Sequence, residues 1–311
     1  HFSWHWIFWV NAPIGLLALV LGLFLLPPMP AQPVYKLDKI GFLLFGSGLA
    51  GLTLGLSTLS ESDVRFIYSL SIIGLALVLL ACYTWHSSKR PHPIVRVELL
   101  GIRTFRVAVL GNLLARLGFG GVPFVLPLLL QIGLGFSPQS SGFLLAPTAL
   151  GVLIIKPLSL RILRFFGYKY LLLLNTVLVG ISLCSFTFIN QHSSMYLIGF
   201  LTFLYGFLIS LQYTGMNSLA YANIKPEDIS AATSIMSTAQ QLAQSFGVAA
   251  AAVIINLFSN AFSGSQSLTV ATFHYTFFTL GLITLCSVVL FIQLKQDDGQ
   301  ELIGERESLK V

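Results

Sequence analysis

The sequence predicts an all-α integral membrane protein, and three observations carry that prediction. Nine apolar runs are each long enough to cross a bilayer. The positive charge of the connecting loops alternates from one connection to the next. Only 9% of the residues are charged, against 55% hydrophobic. A soluble domain carries about 25% charged residues, and a mean hydropathy of +0.84 excludes water as the main solvent. The net charge of +6 is spread over short loops without the basic face that a nucleic-acid binder needs, so no nucleic-acid partner is expected.

Taken in order, the runs are 7–26, 40–59, 66–85, 105–130, 141–160, 171–189, 195–216, 230–257 and 272–294, each near the ~20 residues that a spanning helix requires. Trp4, Trp6 and Trp9 sit where an aromatic belt would meet the headgroups. One set of connections holds Lys36 and Lys39, then Lys89, Arg90, Arg96 and Arg103, then Arg161, Arg164 and Lys169, then Lys225, and finally Lys295, Arg306 and Lys310; the opposite set holds Arg65 alone. The positive-inside rule makes the first set cytoplasmic. The C-terminus is then inside, the first residues are outside, and an odd number of spans lies between them. The chain begins at His1 with no signal-peptide pattern, and it is expected to be a piece of something longer.

Two connections are more than turns. The run Pro27-Pro28-Met29-Pro30 cannot continue a helix and reads as an extended linker. The proline-broken stretch from Lys89 to Arg103 reads as a boundary. The expected organisation is a leading helix in 1–26, a linker with two inserted transmembrane helices in 27–104, a six-helix bundle in 105–294, and a cytoplasmic tail in 295–311.

The fourth run carries the residue of most interest. Arg116 lies ~11 residues into its helix, or ~17 Å at 1.5 Å per residue, near the midplane of a ~30 Å core. A cation at that depth faces protein or water. It either binds an anionic group in a cavity or pairs with backbone carbonyls for packing. Asn112 lies one turn earlier on the same face. Gln212, Tyr213 and Asn217 on the seventh run, and Gln240, Gln241 and Gln244 on the eighth, are polar groups that need partners in a membrane. They line a polar path or bond neighbouring helices. Lys156 can snorkel to the headgroups, and His274 with Tyr275 reads as an interfacial anchor. Cys82, Cys184 and Cys286 show neither disulfide nor metal spacing. No metal-binding H-E-x-x-H, G-x-S-x-G or phosphate-binding glycine loop is present, so neither an enzyme nor a cofactor site is expected.

Several motifs resemble one family. Ser3-Trp4-His5-Trp6-Ile7-Phe8-Trp9-Val10-Asn11-Ala12-Pro13-Ile14-Gly15 is similar to a signature at the sixth span of fourteen-span drug:proton antiporters of the major facilitator superfamily. Pro123-Phe124-Val125-Leu126-Pro127-Leu128, Gly135-Phe136-Ser137-Pro138 and Gln240-Gln241-Leu242 with Phe246-Gly247-Val248 add to it. The resemblance covers nearly the whole chain and implies spans six to fourteen of a major-facilitator fold. It also implies a bacterial inner membrane, a small-molecule substrate, protons as the coupling ion, and cavity-facing seventh and eighth runs. Arg161, Arg164, Gly167 and Lys169 resemble the family's cytoplasmic loop motif, but Arg164 stands where that motif has an acid. All eleven acidic residues fall in loops or the tail, so the proton-carrying carboxylate is expected upstream, in an N-terminal bundle outside this chain. The expected function is proton-coupled efflux of drug-like or amphipathic compounds. Export of one metabolite or siderophore is the nearest rival, and a non-transporting membrane fragment or assembly partner is the rival of another class.

Overall fold

The computed structural model describes residues 6–25, 38–58, 66–90, 95–263 and 268–301. The described residues form helices joined by short connections. Seven of these helices are long and apolar enough to cross a membrane.

The chain divides into two units, 1–37 and 38–311. The first holds α1 (Trp6–Leu25), a 20-residue helix with Pro13 inside it. It is apolar all round, as a helix surrounded by lipid or protein must be. The proline-rich linker that follows lies outside the described residues.

The second unit opens with a hairpin of α2 (Lys39–Thr58) and α3 (Phe66–Ser87). Small residues let the two backbones approach: a Cβ on Gly48 would lie 2.8 Å from Leu80, and one on Gly51 would lie 3.2 Å from Ala76. Asp38 caps α2, accepting from the Gly41 N–H at 3.0 Å and satisfying one of the free amides at the helix start. The same carboxylate meets Nε2 of His86 at 3.0 Å, which fastens the end of α3 to the start of α2. The Tyr83 hydroxyl accepts from the Val95 N–H at 2.7 Å and ties the hairpin to the segment that leads into the bundle.

The fourth span, Arg103–Gly133, is a broken helix. It comprises α4 (Arg103–Phe119), α5 (Val122–Leu128) and a π-helical turn, Leu129–Gly133. Prolines explain the break. Pro123 has no N–H to give the Phe119 carbonyl, and Pro127 has none for Pro123. In a bilayer each freed carbonyl needs another donor. The Tyr205 hydroxyl donates to Phe119 O at 3.2 Å, and Gln244 Nε2 donates at 2.9 Å to Gly120 O, whose helical donor, the Phe124 N–H, turns to Gly121 O instead. Wide turns of this kind also take up a local mismatch in helix winding.

The next two runs are joined more tightly than the sequence suggests. Helix α6 (Pro138–Ser185) holds both, and only Gly167 (φ 68°, ψ 169°) leaves the helical region. The expected loop carrying Arg161, Arg164 and Lys169 is therefore two helix ends meeting at one residue, with Gly167 in a conformation that glycine adopts without steric cost. Helix α7 (Met195–Ala220) packs along α6, followed by α8 (Ile229–Ser263), α9 (Val270–Cys286) and α10 (Val288–Ile292). Observed limits differ from the sequence estimates in both directions: α1 and α2 end one residue early, while α8 (Ile229–Ser263) runs six residues past its estimate. The polar Ser259, Asn260 and Ser263 interrupt the apolar run there.

Ion pairs gather at one end of the unit. Arg96 pairs with Asp228 at 2.5 Å and Arg103 with Asp298 at 2.6 Å, so the segment before α4 is tied to the turn that precedes α8, and the first residue of α4 to the segment after α10. The opposite end is joined by the His274 ring, whose Nε2 lies 2.6 Å from the Ile189 carbonyl.

Candidate functional site

Helices α4, α7 and α8 meet around Arg116, near the middle of the span Arg103–Gly133. The meeting depends on glycine. A Cβ on Gly247 of α8 would come within 3.0 Å of the Gly120 backbone and closer still to the Arg116 carbonyl, so no larger residue fits without separating the helices. That close approach brings Gln244 alongside the broken end of α4.

The arginine is held by neutral groups. Its Nε donates to Asn112 Oδ1 at 2.5 Å, and one terminal nitrogen donates to Gln244 Oε1 at 3.2 Å. The guanidinium lies over the Tyr213 ring, 4.2 Å from its centroid, a stacking that arginine makes readily. Phe119 closes on the same tyrosine edge-on at 5.5 Å. Asn112 is fully buried, and its Nδ2 has no hydrogen-bond partner among the described residues. No carboxylate pairs with Arg116 among them either. The cluster thus has donors in excess and a charge without a counter-charge.

Of the eight residues expected to line a cavity, Arg116, Asn112, Tyr213 and Gln244 come together here. Asn217 and Gln240 form a pair of their own at 2.9 Å across α7 and α8. Gln241 is exposed. Gln212 points elsewhere: it accepts from Asn175 Nδ2 at 2.7 Å and donates to Thr176 Oγ1 at 2.9 Å, between α6 and α7. Neighbours on a helix lie about 100° apart, which separates Gln212 from Tyr213. Lys156, Arg161 and Arg164 are exposed.

Tyr205 and Asn175 were not singled out in the sequence, although both take part in these networks. Pro123 was the available signal for Tyr205. A proline inside a membrane span leaves the carbonyl four residues earlier in need of a donor. Thr53 and Ser57 of α2 were missed as well. Together with Phe124, Gln244, Ser245, Val248, Ala249 and Ala252 they line a pocket of about 440 Å³ between α2, α5 and α8.

Fold and site define a protein of membrane-length helices that keeps a cation midway along one of them. The sequence profile of the Major Facilitator Superfamily matches residues 108–310. A Haemophilus influenzae protein named as the transport protein HsrA is 36% identical over 302 residues, which cover 97% of this chain and 65% of that protein. Proteins named as the multidrug resistance protein MdtD are 31% identical in Shigella boydii (98% of this chain, 64% of that protein) and 30% identical in Pectobacterium atrosepticum (98% and 66%). The chain belongs to the Major Facilitator Superfamily. It spans about two thirds of the length of the curated relatives it matches.

Proposed function

We propose that the chain forms the larger part of a secondary transporter that expels drug-like or amphipathic compounds in exchange for protons. In that proposal α1 ends an N-terminal bundle, α2 and α3 are inserted helices, and α4 to α10 form the C-terminal bundle, with the ion-paired end and the C-terminus cytoplasmic. The two bundles rock about a midplane site, the usual route to alternating access. The names of the relatives support the substrate class, and the matched family supports the mechanism.

One observation carries the proposal: Arg116 midway along a membrane-length span, held by amide oxygens without a carboxylate among the described residues. A charge in that position is costly unless water or a ligand reaches it, and in a transporter both do in turn. The remaining cavity candidates, Asn217, Gln240 and Gln241, would extend the polar path along α7 and α8. The full-length protein reconstituted in proteoliposomes tests the proposal with a panel of anionic, neutral and cationic amphipathic dyes and an imposed pH gradient. Dye accumulation that stops when nigericin collapses the gradient is the expected result. Accumulation unchanged by nigericin, or absent with every dye tried, contradicts it.

A further inference from the structure

The pocket between α2, α5 and α8 is of the size that drug-like ligands occupy, about 300–1,000 Å³, at about 440 Å³. Phe124, Val248, Ala249 and Ala252 give it apolar walls, while Gln244 lies in its lining. The Oε1 of Gln244 accepts from Arg116 at 3.2 Å, so the polar part of the pocket continues into the arginine cluster. There, among the described residues, the buried Asn112 Nδ2 lacks an acceptor and the guanidinium lacks a counter-charge.

We propose that this pocket and the adjoining Arg116 cluster form one binding site for amphipathic organic anions, to which the hairpin helix α2 contributes Thr53 and Ser57. The proposal rests on the transporter reading and adds to it the charge of the ligand and a role for the hairpin. The chemistry is complementary in two respects. An oxyanion supplies acceptors for the free donors of Asn112 and Arg116, with charge-assisted bonds that Arg makes in bidentate form. A hydrocarbon or aromatic body fills the apolar volume, where its surface is removed from water. A carboxylate from elsewhere in the protein would meet the first need and leave the apolar volume empty. The hairpin is then part of the site's wall as well as a spacer between bundles.

Two dyes with the same aromatic body separate the charge from the hydrophobic contribution: 1-anilinonaphthalene-8-sulfonate, an anion, and N-phenyl-1-naphthylamine, its uncharged analogue. Saturable binding to the full-length protein is read by fluorescence in phosphatidylcholine nanodiscs, without any ion gradient, so failure of proton-coupled transport and failure of this site are distinguishable. The expected result is tighter binding of the sulfonate. Arg116→Gln weakens the sulfonate by about tenfold or more, the loss of a charged hydrogen bond, and leaves the neutral dye within about twofold. Thr53→Phe, which fills the pocket from α2, weakens both dyes. Arg116→Lys, which keeps the charge, retains sulfonate binding, and its thermal unfolding shows whether the substituted protein is folded. Equal affinity for the two dyes, or sulfonate binding unaffected by Arg116→Gln, overturns the proposal. So does complete displacement of the sulfonate when phosphatidylglycerol replaces phosphatidylcholine, which would make the site one for a lipid headgroup.

Discussion

Two polar clusters sit inside the helical unit, and they differ in what they leave unsatisfied. Between α6 and α7, Gln212, Asn175 and Thr176 are neutral and buried, and they bond one another and the Leu172 and Leu208 carbonyls at 2.6–2.9 Å; one amide oxygen, Asn175 Oδ1, is left over. Between α4, α7 and α8, Arg116 brings a full charge, and its partners are amide oxygens and an aromatic ring. The first cluster is what polar residues ordinarily do between membrane helices, where an interhelical hydrogen bond contributes about 0.6 kcal/mol on average. The second is out of proportion to any packing need, because a neutral side chain would pack there without the desolvation of a charge. Polarity within a membrane bundle therefore does not mark a site. Unbalanced polarity does.

Substitutions can break or sharpen that contrast. The largest effect is expected from Gly247→Leu, which forces α8 away from α4 at the point where backbone meets backbone. Overpacking of this kind costs about 3 kcal/mol, and a steep loss of folded full-length protein in a detergent melt is the readout. Gln244→Leu follows. It removes an acceptor from Arg116 and the donor to Gly120 O together, and dye transport by the full-length protein should fall by about tenfold while the protein remains folded. Gln212→Leu should cost about 1 kcal/mol of stability and leave most transport in place, since its partners are structural. The smallest effect concerns Asp38. Burial opposes its ionisation, but the Gly41 N–H and His86 hold its carboxyl below the ordinary range. A carboxyl depressed in the folded state adds stability above its unfolded pKa and loses it as pH falls through the folded value. The melting temperature of the wild type should exceed that of Asp38→Asn near neutral pH, and the difference should vanish below the ordinary carboxylate range.

Run length and loop charge made the spans legible, and the depth of Arg116 followed from counting residues along one helix. Asn112 was legible for the same reason, since a helix places residues four apart together and the two side chains do bond. Partners from other helices were beyond reach. Gln244 lies 128 residues from Arg116, and nothing local separates it from Gln240 or Gln241, which turn elsewhere. Gln212 and Tyr213 were equally plausible as lining residues until the rotation of α7 was known. The helix ends around Gly167 read as a loop because charged residues interrupt the apolar run there, although charge does not end a helix at a membrane surface. The break in α4 was written in Pro123 and Pro127. What took up the freed carbonyls was not, because Tyr205 and Gln244 reach them only through the packing of α7 and α8.

The most direct test sets the two clusters side by side in the full-length protein. Arg116→Ala and Gln212→Leu are compared for gradient-driven dye transport at matched amounts of inserted protein. Transport lost in Arg116→Ala, with insertion intact, and largely kept in Gln212→Leu is the result this account predicts. Normal transport by Arg116→Ala would contradict it and leave the arginine as a packing residue.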